Sequence, residues 1–245
     1  MTIIFGLGTG RCGTDSLSQL INNQDGAVCF HESNPFSSQW GWLGTTLPLA
    51  RQFAEILRGG PREALMIDSR HRINQAQAVE KLRTTKRLRT IGEVGFYHLP
   101  NVPQTIERFN TVRFPVLKRD RAETVRSYVA KVEVRYRNRF LLPRVAHKNH
   151  WMAHDGTRWV KDRFDPCFPK FTASSLEDAI GQYWDAYYDT AEQYQARYPD
   201  HVRIFPLEAL NTGQSDILAF CGIDATDHSV VHVNRRLTRT ANRSA

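Results

Sequence analysis

The chain has little to cross a membrane with and little to crosslink itself with. None of its 245 residues belong to an apolar run of bilayer length, and the mean hydropathy is −0.48, so no membrane span is expected. Met1–Leu7 runs straight into a strand-like pattern without a basic stretch ahead of an apolar one. A secretory leader is therefore not expected, and a cytoplasmic location is. Cysteine is scarce: Cys12, Cys29, Cys167 and Cys221 lie far apart with no C-x-x-C pair, which argues for free thiols in a reducing compartment. Carboxylates are in deficit, 25 Asp and Glu against 33 Lys and Arg, for a net charge of +8. Such a surplus favours anionic ligands. Much of it sits in residues 131–170, with ten Lys and Arg against four Asp and Glu. No helix-turn-helix, RNP or zinc-finger pattern accompanies that charge, so a small anionic ligand is expected and nucleic acid is not.

What is present is an alternation of apolar strand-like runs with helical periods. Thr2–Leu7, Ala27–Phe30, Ala64–Asp68, Thr90–Gly95, Val112–Leu117 and Val202–Phe205 read as strands. Helices are expected around Leu17–Ile21, Leu49–Leu57, Gln75–Leu82, Pro103–Phe109, Ala122–Val132, Leu176–Tyr198 and up to Phe220. This order predicts an α/β fold: a P-loop-like, mainly parallel β-sheet flanked by helices, in a single domain over residues 1–245. Residues 133–172 lack periodicity and read as an irregular, substrate-covering insert. Trp184 and Tyr187 share a helical face and read as core.

The first strand runs into Gly8-Thr9-Gly10-Arg11-Cys12-Gly13-Thr14-Asp15-Ser16. Glycines let backbone N–H groups converge, and the N-terminus of the following helix adds positive potential: an anion cradle. Gly8 and Gly13 have the spacing of a nucleoside-triphosphate loop, but Thr14-Asp15 stands where Lys-[Ser/Thr] is required. That argues against a P-loop kinase-like enzyme. A dinucleotide fold would need an acid after the second strand, a place only Glu32 approaches.

The loop resembles the 5′-phosphosulfate loop of sulfotransferases that use 3′-phosphoadenosine 5′-phosphosulfate (PAPS). Arg11, Gly13 and Thr14 fall on the basic, glycine and first hydroxyl positions. Gly10 replaces a proline, Asp15 replaces a second hydroxyl, and Ser16 offers one nearby. A second stretch carries the resemblance further: Arg119 follows a strand end, and Ser127 comes eight residues later, as in that family's 3′-phosphate site. The resemblance implies transfer of a sulfuryl group from PAPS to a hydroxyl acceptor, either a carbohydrate or a small alcohol, leaving adenosine 3′,5′-bisphosphate. No metal is expected, since Arg11 would stabilise the leaving phosphate.

Implied donor contacts are Gly10, Arg11, Cys12, Gly13, Thr14, Asp15, Ser16, Arg119 and Ser127, with Arg235 and Arg236 near the C-terminus. Two general bases are implied: His98 in Tyr97-His98-Leu99-Pro100, which spacing favours, and Glu32 after the second strand. His31 and Glu93 lie outside that pair as further candidates. His147, His150, His154 and Asp155 have a metal-like spacing but suit a pocket lining better. Trp151, Trp159 and Phe164 would cover the acceptor, and the arginines of the insert would hold one that is acidic.

Overall fold

The structure is a computed structural model; it describes residues 1–33, 46–65, 73–130, 152–154, 159–161, 173 and 175–224. Its centre is a five-stranded parallel sheet of β1 (Thr2–Gly6), β2 (Ala27–His31), β3 (Thr90–Val94), β4 (Val112–Lys118) and β7 (Val202–Pro206), in the order β2-β3-β1-β4-β7. Met152–His154 (β5) and Trp159–Lys161 (β6) form a separate antiparallel pair inside the insert, where no regular structure was expected.

Alternation along the strands sends side chains to two cores. Ile3, Phe5 and Leu7 pack on one face with Phe53 of α2 (Thr46–Leu57), Leu82 of α3 (Ile73–Thr84), Val102 of α4 (Val102–Arg108) and Tyr187 of α6 (Leu176–Arg197). Ile4 packs on the other face with Leu17 and Leu20 of α1 (Thr14–Asn22). Leu210 of α7 (Ala209–Thr212) and Ile217 of α8 (Gln214–Phe220) complete that face. A sheet buried on both faces is what a parallel sheet requires. One further helix, α5, covers residues 121–130.

Both sheet edges are closed by amide side chains. At β2, Asn22 accepts from the Cys29 N–H at 2.7 Å and donates to its carbonyl, and Gln75 donates to the His31 carbonyl. At β7, the Gln195 carbonyl oxygen accepts from the Ile204 N–H at 2.6 Å. Unpaired edges invite another strand, so these amides do protective work.

Central strand β4 carries Pro115, a residue without an N–H. The β1–β4 ladder accommodates it by stopping at Ile4↔Arg113 and resuming as an isolated bridge, Leu7↔Val116. The β4–β7 ladder is continuous through the same residues. Of the strand expected at Ala64–Asp68, Ala64 ends a 3₁₀ turn (Arg62–Ala64), Leu65 is in no strand, and residues 66–68 lie outside the described residues.

Strand order locates the site. From β1 the chain leaves toward β2 on one side, and from β4 it leaves toward β7 on the other. The adjacent carboxyl ends of β1 and β4 are thus a topological switch point, where α/β sheets bind ligands. Arg11 follows one of these ends and Arg119 the other.

Candidate functional site

The loop after β1 is shaped by close approach and left-handed backbone. A Cβ on Gly8 would lie 2.4 Å from the Cys12 Sγ and 3.0 Å from the Leu117 carbonyl. Gly10, Arg11 and Gly13 have φ of 80°, 58° and 87°. For Arg11 that conformation costs of order 1 kcal/mol and is held by surrounding structure. Successive N–H groups in such a turn form a concave anion nest. Gly13 is the N-cap of α1 and offers no side-chain acceptor, so the first amides of α1 are free of a cap from their own chain end.

The two distant stretches meet. Arg11 Nε donates to the Ser127 Oγ at 3.0 Å, and Arg119 Nη1 donates to the Arg11 carbonyl at 3.1 Å. Two guanidinium groups and a hydroxyl therefore gather over the carboxyl ends of β1 and β4. Arg119 has one carboxylate partner, Glu123 at 3.0 Å, one turn along α5. Asp120 starts that helix by accepting from the Glu123 N–H at 2.8 Å, an N-cap that sets where Ser127 emerges.

Asp15 does not put its charge into the nest. Its carboxylate accepts from Gln19 Nε2 at 3.2 Å and lies 3.6 Å from His31 Nδ1, along the outer side of α1. Thr14 Oγ1 lies 3.1 Å from His31 Nε2, so His31 orients the first hydroxyl. Ser16 is buried, and so is Cys12, whose thiol is pushed up by burial against weaker opposing hydrogen bonds from Tyr188 and the loop. Cys12 and Ser16 bring backbone amides to the loop, with side chains turned inward. Arg235 and Arg236 lie outside the described residues, as do His147, His150, Asp155, Trp151 and Phe164.

Trp184 and Tyr187, read as core, turn out to help hold the loop, together with Tyr128, Tyr183 and Tyr188. Tyr128 of α5 donates to the Thr9 carbonyl, and Tyr183 donates to the same oxygen at 3.1 Å. Tyr187 accepts from the Gly8 N–H at 2.9 Å, and Tyr188 donates to the Leu117 carbonyl at 2.7 Å. Trp184 Nε1 donates to the Arg119 carbonyl at 3.1 Å. Helical spacing marks these rings as inward-facing, which they are. It carries no signal for where their polar ends go.

The candidate bases sit in opposite settings. Glu32 closes β2 with φ of 47°, and its side chain is 23% exposed. It lies close enough to Tyr128 to help raise that phenol, whose shift is dominated by burial and is opposed by Arg11. Glu32 and Arg11 thus both lie within electrostatic reach of the Tyr128 hydroxyl. His98 is fully buried between Phe5 and Tyr97, with ring centroids 4.5 Å from each. Its Nε2 is 3.0 Å from Glu93 Oε2, and its Nδ1 is 2.9 Å from Thr46 Oγ1. A carboxylate that close requires a proton on Nε2, which leaves only Nδ1 to accept one, and Thr46 occupies it. The spacing that favours His98 is thus offset by its position: neither ring nitrogen faces solvent.

Burial alone would raise the Glu93 carboxyl. The adjoining His98, together with donors Ser33 and Tyr97, outweighs burial and holds it below the ordinary value of 4.5.

No protein-family model matches the sequence, and no curated protein matches it. Solved sulfotransferases are among the structures it is similar to. A sulfotransferase domain from the curacin biosynthetic pathway is 14% identical, with 91% of this chain and 75% of that one covered and a TM-score of 0.46. A sulfotransferase from Alicyclobacillus acidocaldarius is 12% identical, covering 98% and 87%, with a TM-score of 0.45. A mouse sulfotransferase complexed with PAP is 15% identical, with a TM-score of 0.40; the match covers 92% of this chain and 61% of the mouse protein. At these identities the likeness is one of fold. Among the described residues, no group of His, Cys, Asp and Glu could hold a metal ion, and no helix is long and apolar enough to cross a membrane.

Proposed function

We propose that the protein is a sulfotransferase that takes a sulfuryl group from PAPS and passes it to a hydroxyl acceptor, a carbohydrate or small alcohol. One observation carries this reading: Arg11 and Arg119, 108 residues apart, are joined across the β1–β4 switch point, with Ser127 bound to the Arg11 guanidinium. Two like charges with, among the described residues, one carboxylate partner form a stable arrangement once an anion lies between them. The residues suit the donor's two anionic ends. The glycine nest, the α1 amides, Thr14 and Arg11 would hold the 5′-phosphosulfate; Arg119 and Ser127 would hold the 3′-phosphate.

When bound, the donor supplies a sulfur activated by its phosphate leaving group. The chain supplies position and charge. Arg11 stabilises negative charge on the leaving oxygen, a task otherwise given to a metal. Glu32, partly exposed, accepts the acceptor's hydroxyl proton as that oxygen bonds to sulfur. The S–O bond to the phosphate breaks, and the proton remains on the carboxylate until solvent takes it. Arg235 and Arg236 are further donor contacts in this reading, and residues 133–172 cover the acceptor.

Calorimetry with adenosine 3′,5′-bisphosphate, ATP and a DNA duplex tests the donor. Tight binding of the bisphosphate alone is expected. Binding of ATP or duplex in its place would end the proposal in favour of a kinase-like or nucleic-acid-binding protein.

A further inference from the structure

Resting on the reading above, we infer that Glu93 is a positioning residue for Glu32, acting through Ser33. The register places Glu93 opposite Phe5 in β1, on the apolar face of the sheet, where a carboxylate is costly. Two of this carboxylate's contacts go to Ser33, the residue after the candidate base, and two to the Tyr97-His98 segment after β3. Its Oε1 accepts from the Ser33 N–H at 2.7 Å, the Ser33 hydroxyl at 2.6 Å and the Tyr97 hydroxyl at 2.5 Å. Its Oε2 lies 3.0 Å from His98 Nε2, off the line of a well-aligned hydrogen bond. The Glu32 N–H is bound to the Val94 carbonyl at 2.9 Å. Glu32 is therefore pinned on both sides, by β3 backbone before it and by the Glu93 carboxylate after it.

That double attachment accounts for the left-handed backbone of Glu32. A glutamate at φ of 47° relaxes to the right unless its surroundings forbid it. Ser33 supplies the restraint, with both its amide and its hydroxyl on one carboxylate oxygen. Only an ionised Glu93 accepts from so many donors at once, and His98 and Tyr97 favour that form. The histidine of the Tyr97-His98-Leu99-Pro100 run then acts two steps from the chemistry: it holds Glu93, Glu93 holds Ser33, and Ser33 sets the direction of Glu32.

The experiment compares Glu93→Gln, Ser33→Ala, Glu32→Gln and the Glu32→Gln/Glu93→Gln double variant with the full-length wild type. Two quantities are read: the dissociation constant for adenosine 3′,5′-bisphosphate by calorimetry, and bisphosphate release from labelled PAPS with a small-molecule cell extract as acceptor pool. Glu93→Gln should lower turnover by about tenfold or more, because a small misplacement of a reacting group is costly. Its bisphosphate affinity should stay within about twofold of wild type, since no Glu93 contact reaches the Arg11 loop. Ser33→Ala should show part of the same loss, and the double variant should be no slower than Glu32→Gln. Wild-type turnover in Glu93→Gln overturns the inference, as does a loss of bisphosphate affinity matching the loss of rate. Should Glu93→Gln fail to fold, Ser33→Ala decides, since it leaves the Glu93–His98 contact in place: wild-type turnover there overturns the inference equally. A wild type that binds no bisphosphate, or binds it without ever releasing it from PAPS, sinks the sulfotransferase reading itself.

Discussion

Two charged clusters lie near the carboxyl ends of neighbouring strands, and they are built on opposite terms. Arg11 is exposed, Arg119 and Ser127 are half-buried, and among the described residues the two arginines have one carboxylate partner, Glu123. Glu93 and His98 are fully buried and have hydroxyl and amide partners packed around them. Like charges near water cost little until something anionic arrives, and then each gains. A carboxylate in a dry core depends on its fixed donors, and those donors are stranded if it is removed. The first arrangement suits a ligand that comes and goes; the second suits a part that must not move.

The comparison breaks most visibly by deleting one partner of the buried pair. Glu93→Ala should cost about 3 kcal/mol or more in urea unfolding, because it leaves the buried Ser33, Tyr97 and His98 groups without their acceptor. A loss below about 1 kcal/mol would mean the pair is far wetter than its burial implies. On the open side, Arg11→Ala or Arg119→Ala should leave stability nearly unchanged. Either should weaken adenosine 3′,5′-bisphosphate binding by roughly 10- to 100-fold, the worth of a hydrogen bond to a charged group. Arg83→Ala, on an exposed residue in the last turn of α3, should bind as wild type does.

Acid sharpens the contrast. The Glu93 carboxyl titrates below 4.5 in the fold and near 4.5 in the unfolded chain. Its stabilising contribution is therefore fully present above that pH and is lost as pH falls through the lower, folded value. The stability gap between wild type and Glu93→Gln should be constant near neutrality and narrow below about pH 4.5. A constant gap down to pH 3 would contradict the pairing. The smallest effect belongs to a strut between regions: Tyr187→Phe removes the acceptor of the Gly8 N–H and should cost about 1–2 kcal/mol, with bisphosphate affinity falling only slightly.

Much of the open cluster was legible in the sequence. Glycines at 8, 10 and 13 after an apolar run announce a turn that carries amides, and an arginine past a strand end with a serine eight residues later has no need of long-range information to be noticed. The parallel sheet followed from the alternation of strands with helices, and five of the expected strands lie in it, whereas most of Ala64–Asp68 lies outside the described residues. The buried cluster was less legible, for a physical reason. Periodicity reports which face a residue lies on, whereas the pairing of Glu93 with His98 and Ser33 depends on three segments meeting at one point. His98 stood out by its neighbours in sequence, and its surroundings in space assign it a different place. The edge-covering amides of Asn22, Gln75 and Gln195 and the hydroxyls of Tyr128, Tyr183, Tyr187 and Tyr188 escaped notice likewise. A side chain's polar tip finds its partner by fold, and no spacing rule encodes that choice.

Pro115 has a mechanical consequence. It leaves one rung missing in the seam between β1 and β4, whose carboxyl ends lead to the two arginines. Stiffness there comes from cross-ties overhead: Arg11 to Ser127, Arg119 to the Arg11 carbonyl, and Tyr188 to the Leu117 carbonyl. The spacing between the halves of the pocket is thus set by side chains that the pocket's own occupant can engage.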